Sequence, residues 1–128
     1  KLEKDRVVGI SALLVHAAKI DELYSEHEKY LIKSFIKSYL EDDADKVLKK
    51  AEEVESNSNQ LLNFTNIIKQ NSMEIKKDII EHLWKVIISD NTVDQYESNL
   101  MRRICGLIYF PDKLSGEIKL KLKEELKN

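Results

Sequence analysis

Five carboxylates, placed in a short pattern that occurs twice, are the side chains of this 128-residue chain best suited to chemistry. The pattern has an Asp, an apolar residue three positions later, a Ser or Asp four positions later, and a Glu seven positions later. Its second copy begins 69 positions after the first. Carboxylate oxygens are ligands that Ca²⁺, Mg²⁺ and Mn²⁺ prefer, so the pattern predicts a divalent-cation site. Its candidate ligands are Asp21, Glu28, Asp90, Asp94 and Glu97.

The spacing of these carboxylates excludes an EF-hand. That loop places acidic ligands at alternate positions over about twelve residues, with a Gly in the middle. Here Asp and Glu together span eight positions, with no Gly between them. Any site would be open and hydrated, and its affinity would be modest unless carboxylates from both copies lie close together.

The same residues also have a structural interpretation. Ser25 with Glu28, and Asp94 with Glu97, match a capping box, in which each side chain accepts a hydrogen bond from the backbone N–H of the other residue. The Asp that begins each copy would lie at the C-terminal end of a helix, where the helix dipole disfavours an anion by about 0.3–1 kcal/mol. Hydrogen bonds from the next helix or a bound cation would each compensate this cost.

The apolar periodicity predicts that both patterns are elbows between helices. Val7–Ile20 and Ile75–Ile88 are predicted to be central helices, each followed by an elbow and an amphipathic partner helix. A charged helix capped by Asp42 or Asp43 and a short apolar helix separate these two hairpins, and a last amphipathic helix is expected after Ser115. We therefore expect an all-α fold of about seven helices, in which two related hairpins form one pseudo-symmetric bundle.

Composition agrees with a single helical domain over residues 1–128 and limits its partners. The chain has 21 basic and 23 acidic residues mixed along its length, so no basic field favours nucleic acid. No apolar stretch is long enough for a membrane span, so this segment is not expected to insert directly. The one cysteine, Cys105, is expected to pack in the core, as in a reducing, cytoplasmic setting.

The three histidines do not form a recognisable metal or catalytic motif. None has a Glu three positions before it, as a di-iron bundle requires. No Ser-His-Asp spacing, phosphate-binding Gly loop or Cys-His cluster occurs either. His16 and His82 are therefore expected to be satisfied interior or boundary histidines.

The doubled pattern, with an apolar central helix before each copy, resembles the TerB family, tellurite-resistance protein B and its relatives. The resemblance implies an all-α domain of about seven helices with internal pseudo-symmetry and with acidic residues exposed at the elbows. It also implies metal binding, protein partners in stress-response assemblies near the membrane, and no known catalysis. Two departures are visible: Glu22 and Asn91 replace the Gly usual after the Asp, and Ile20 replaces a small residue before it.

Three hypotheses for the function follow from these observations. The first is a non-catalytic, TerB-like module in the cytoplasm or at the inner face of the membrane, which binds a divalent cation and acts as a protein scaffold. The second is a small metal-dependent enzyme that uses the same carboxylates. The third is a helical interaction module whose elbows are only capping boxes.

Overall fold

The computed structural model describes residues 2–21, 23–90 and 95–127, and only the backbone at positions 21, 90, 95 and 127. Its helices are α1 (Lys4–Ala18), α2 (Glu26–Tyr39), α3 (Ala44–Ser56), α4 (Leu62–Lys69), α5 (Met73–Ile87), α6 (Gln95–Ile108) and α7 (Asp112–Lys127). Short 3₁₀ turns, Lys19–Asp21 and Ile88–Asp90, extend α1 and α5. The described residues contain no strand, so the predicted all-α class is confirmed. They also contain no helix with the length and apolarity needed to cross a membrane.

The helix boundaries repeat with the spacing of the sequence pattern. α1 and α5 have 15 residues each, and α2 and α6 have 14 residues each. All of these boundaries, and those of the two 3₁₀ turns, recur 69 positions later in the second half. Two related hairpins would give this spacing; their relation by a pseudo-symmetry axis stays a prediction.

Three helices begin at side chains that cap the exposed N–H groups of the first turn. Ser25, Asp43 and Ser72 accept hydrogen bonds from backbone N–H groups two or three residues later, at 3.1, 3.0 and 3.3 Å respectively. Of the two candidate caps for α3, Asp43 is therefore the one used. Local side-chain chemistry thus fixes where these helices begin.

α1 is the central helix of the first half. It contacts α2, α3, α4 and α5, and its residues 7–15 are all buried. Gly9 allows the side chain of Ile67 on α4 to approach closely, since a Cβ there would lie far inside van der Waals distance of the Ile67 δ-methyl group. Ser11 is the polar exception in this segment, and its buried hydroxyl forms no hydrogen bond with any described residue.

α5 has a similar role in the second half and contacts α1, α2, α6 and α7. Trp84 aligns with the apolar Val15 at the 69-residue spacing, which predicts a core position, and it is 4% exposed. Its Nε1 donates to the Ser115 Oγ at 2.9 Å. The expectation that the last helix follows Ser115 is wrong, because α7 begins at Asp112 and Ser115 lies inside it. The serine serves the indole N–H as a buried acceptor.

Candidate functional site

Side-chain contacts fix the relative direction of α2 and α5. Near the end of α2, the Tyr39 Oη donates to the Asp78 Oδ2 at 2.6 Å, in the first half of α5. Further along both helices, the Phe35 ring centroid lies 5.1 Å from that of His82. α2 and α5 therefore run antiparallel, and the beginning of α2 lies near the end of α5.

This arrangement brings the two elbows to one end of the molecule. A cleft of about 300 Å³ is lined by His27 from the first turn of α2 and by Ile88 and Ser89 from the second 3₁₀ turn. His27 precedes the candidate ligand Glu28, and Ser89 precedes the candidate ligand Asp90. This proximity could not be predicted from the sequence, because it depends on how the hairpins pack.

At the first elbow, the capping box is present in full. The Ser25 Oγ accepts from the Glu28 N–H at 3.1 Å, and the Glu28 Oε1 accepts from the Ser25 N–H at 2.8 Å. Glu28 is only 6% exposed and lies in the first turn of α2, where the helix dipole favours an anion. Asp21 is the last residue of the 3₁₀ turn before this box, and its side chain lies outside the description.

The second elbow has the same framework as far as it is described. Asp90 ends the second 3₁₀ turn, and Glu97 is the third residue of α6. Glu97 is 4% exposed, which matches the burial of Glu28 at the corresponding position. Asp94, the predicted cap, lies outside the described residues. Its pairing with Glu97 in a capping box therefore stays a prediction.

The electrostatic surroundings of the first elbow contain several cations. Lys19 Nζ lies 2.8 Å from a carboxylate oxygen of α3, and Lys29 Nζ lies 3.3 Å from the Glu26 Oε2.

Tyr24 Oη donates to the Glu52 Oε2 at 2.6 Å. Burial and this hydrogen bond raise the pKa of Tyr24 well above its usual value, so the phenol keeps its proton and remains a donor.

The family model for tellurite resistance protein TerB matches residues 8–120 of the chain. The protein belongs to the TerB family. All five candidate ligands lie within the matched residues, and the all-α fold agrees with the predicted family. Comparisons with curated proteins and with solved structures found no significant match.

Within the described side chains of this TerB-family protein, no group of three or more His, Cys, Asp or Glu residues is placed to hold a metal ion. The side chains of Asp21, Asp90 and Asp94 are not part of that description. The predicted ligand set therefore stays a prediction, in which the positions of Glu28 and Glu97 are known.

His82 and Cys105, the other side chains considered for chemistry, have environments typical of residues that stabilise the fold. His82 Nδ1 lies 2.8 Å from the main-chain oxygen of Asp78, which is the local contact expected for a boundary histidine. Cys105 is 1% exposed, and burial raises the pKa of its thiol, so its predicted place in the core is confirmed.

Sequence reasoning missed one polar cluster near the first elbow. His16 Nδ1 lies 3.2 Å from the Glu55 Oε2, and Lys19 Nζ lies 2.8 Å from the Glu55 Oε1. His16 and Lys19 are three residues apart and so share a face of their helix, but Glu55 follows them by more than 30 positions. Only the packing of α3 against α1 brings the three together.

Proposed function

We propose that this chain is a non-catalytic TerB-family module that binds a divalent cation at its helix elbows and acts as a protein scaffold in a stress-response assembly. We place this assembly in the cytoplasm or at the inner face of the membrane. The observation that carries the proposal is the position of both elbows at one end of the molecule. Carboxylates from two elbows that lie side by side would give a cation more ligands than either elbow alone.

The two elbows differ in charge, and this difference predicts which one contributes more to binding. Residues 19–29 contain four acidic residues together with two lysines, whereas residues 88–98 contain three acidic residues and neither Lys nor Arg. Lys19 pairs with Glu55 of α3 and Lys29 pairs with Glu26, so two cations lie beside the first elbow. We therefore assign the larger part of the cation affinity to Asp90 and its neighbours.

The capping box at the first elbow is compatible with this proposal. An ionised carboxylate has two oxygens and about four lone-pair sites, so one oxygen accepts a cap hydrogen bond without excluding a cation from the group. The cap also holds Glu28 in one position, which lowers the entropy that binding would otherwise cost. For Glu28, the cap hydrogen bond and a bound cation are therefore compatible. For the Asp residues, hydrogen bonds from the next helix and a bound cation are alternatives.

The environments of two histidines favour a module without catalysis. A nucleophile in an acyl-transfer enzyme is paired with a base that a third group orients. Here Glu55 contacts the His16 Nδ1 as an orienting carboxylate would, but no Ser, Thr or Cys among the described residues hydrogen-bonds to the ring of His16 or His82. The nucleophile of that arrangement is therefore missing from the described surroundings of both rings.

Thermal unfolding in the presence of Ca²⁺, Mg²⁺ or Mn²⁺ tests the cation site. If the Kd is on the order of 1 mM, then 10 mM of the ion stabilises the folded state by about 1.4 kcal/mol. For a domain of this size that corresponds to a rise in Tm of roughly 3–6 °C. We expect Asp90→Asn to abolish most of this rise, and Asp21→Asn to reduce it less.

Asp5→Asn provides the matched control, because Asp5 is an exposed carboxylate in the first turn of α1, at the opposite end of that helix. It should leave the rise in Tm unchanged. Without metal, Asp90→Asn should be as stable as the parent or slightly more so, since charge repulsion and the unfavourable helix dipole are removed. The opposite result would be a parent protein whose Tm does not change with any of the three ions, together with a loss of about 0.5–1.5 kcal/mol in the free energy of unfolding of Asp90→Asn. It would show that the Asp residues are hydrogen-bond acceptors only.

A further inference from the structure

A second concave site lies between the end of α1, the segment after α3, the beginning of α4 and the middle of α6. Its volume is about 520 Å³, and it includes the polar cluster of His16 and Glu55 on one side and Arg103 on the other. This site takes residues from both halves of the chain and is distinct from the cleft that His27 and Ser89 line. We propose that it binds a small organic anion, with Arg103 pairing with the anionic group.

The charges around the cavity favour an anion. Glu55 is the acidic residue in the lining, and its two oxygens are already engaged by Lys19 and His16 at 2.8 and 3.2 Å. Arg103 forms no ion pair with any described residue, whereas its neighbour Arg102 contacts Asp112 at 3.8 Å. Arg103 is exposed, and its guanidinium is therefore a cation in the lining that has no described ion-pair partner and is accessible to a ligand. Its planar group of donors suits a carboxylate, sulfonate or phosphate.

The beginning of α4 adds to this preference. Leu61 and Leu62 line the cavity at the start of the helix, where the N–H groups of Asn63 and Phe64 already donate to the main-chain oxygens of Gln60 and Leu61 at 3.1 and 3.0 Å. The positive end of the helix dipole therefore acts on the same space as Arg103.

The other wall would hold an apolar body. Phe64 and Leu100 are buried in the lining, and the His16 ring lies 6.3 Å from the Phe64 ring. Glu55 holds the imidazole in place through its Nδ1. Leu62 also lines the cavity and is 45% exposed, so it presents apolar surface to the same space. An aromatic or aliphatic group attached to the anion would cover this surface.

The internal repeat indicates that the fold does not require these residues. Lys85 and Ile88 occupy the positions 69 residues after His16 and Lys19. Ser34 occupies the position 69 residues before Arg103. Each of these three counterparts differs from the residue in the cluster, yet the corresponding helices of the other half still form. The cluster is therefore particular to this cavity.

An NMR titration with naphthalene-2-sulfonate tests the proposal, because this probe carries a fixed negative charge on an apolar body. In 0.15 M salt, which screens long-range attraction, we expect saturable amide shifts confined to residues around the cavity. Arg103→Gln should raise the Kd at least about tenfold, because a charge-assisted hydrogen bond is lost. Arg102→Gln, on the same helix but outside the lining, should change the Kd less than about twofold. The neutral naphthalene-2-sulfonamide should bind at least about tenfold more weakly than the sulfonate.

A second pair of variants tests the apolar wall independently of charge. Leu62→Ser should weaken sulfonate binding several-fold, whereas Met73→Ser, an exposed position outside the lining, should not. Shifts that are absent or spread over the surface would overturn the proposal. So would equal losses from the two Arg variants, or a sulfonamide that binds as tightly as the sulfonate.

Discussion

Gly9 provides a test of how closely α1 and α4 pack. Alanine stabilises a helix interior by about 1 kcal/mol relative to glycine, so Gly9→Ala would be stabilising if the site had room. A Cβ at this position would overlap the δ-methyl group of Ile67, while the Ile67 Cγ1 and Cγ2 would lie at the ordinary distances of 3.6 and 3.9 Å. The conflict is therefore with a single terminal methyl group.

The size of the effect follows from what that methyl group can do. Ile67 is only partly buried, so its δ-methyl can turn away at a cost of about 0.5–1.5 kcal/mol for leaving its preferred rotamer. This cost offsets the gain in helix propensity, and Gly9→Ala alone should change the free energy of unfolding by less than about 0.5 kcal/mol. In an Ile67→Val background the conflicting methyl group is absent, and the same change should stabilise by about 1 kcal/mol. The two changes should thus show a coupling energy of about 0.5–1.5 kcal/mol.

Urea unfolding of the four proteins in this cycle, followed by circular dichroism, measures the coupling. Gly116→Ala is the matched control, since a Cβ at this helical position in α7 meets no atom within 4 Å. It should give the full gain of about 1 kcal/mol in the parent protein. An equal effect of Gly9→Ala in both backgrounds would refute the reasoning, as would a loss of several kcal/mol that Ile67→Val does not relieve.

Three further predictions concern single residues. Cys105 should react with a disulfide reagent at least about 100-fold more slowly in the folded protein than in urea, because burial keeps its thiol protonated and inaccessible. Tyr109→Gly should raise the free energy of unfolding by about 0.5 kcal/mol in a urea titration. The φ of 60° at this residue is strained for a side chain, and this outweighs the exposed contact of Lys69 with its ring. Ser11→Ala should raise the same quantity by about 0.5–1.5 kcal/mol, because it removes a buried hydroxyl that has no described partner. A fast-reacting native thiol, or a loss of stability in either variant, would contradict the respective argument.

The helices could be predicted because their determinants are local. Residues 7–15 are apolar on every side apart from Ser11, and this pattern alone predicts a helix that is surrounded by other elements. Ser25 and Ser72 were predictable caps for the same reason, since each acts within its own first turn. The burial of Trp84 followed from its alignment with Val15 in the repeat.

The start of α7 shows where local reasoning failed. Ser115 has the preferences of a capping residue, but its hydroxyl accepts from Trp84, 31 positions away, and it lies inside the helix. α6 ends with Tyr109 in the left-handed region and with the Phe110 N–H bonded to the Cys105 oxygen at 2.9 Å. A helix that ends with a left-handed residue usually has a Gly at that position, whereas here the residue is Tyr109. The tertiary contact with Trp84 thus explains the role of Ser115 inside α7, whereas α6 ends before Pro111, which cannot continue a helix.

The elbows were recognisable in the sequence, but their relation in space was not. A repeat specifies that two corners have the same local structure, and it leaves open whether they face the same side. The antiparallel contact of α2 with α5, seen in the pair of Tyr39 with Asp78, is what brings both corners to one end. The relative direction of α2 and α5, and not the identity of the acidic residues, therefore determines whether both elbows lie at the same end of the molecule.

The charge difference between the elbows bears on what the repeat itself is for. Both elbows keep a buried Glu at the third position of the helix, 6% and 4% exposed, so the framework that positions a carboxylate is preserved in both. Lys19, which neutralises Glu55 near the first elbow, has Ile88 at its counterpart, and Lys29 has Ser98. The two elbows therefore share this framework and differ in the lysines that lie beside it. On this charge difference rests the expectation that Asp90→Asn weakens the proposed cation site more than Asp21→Asn does.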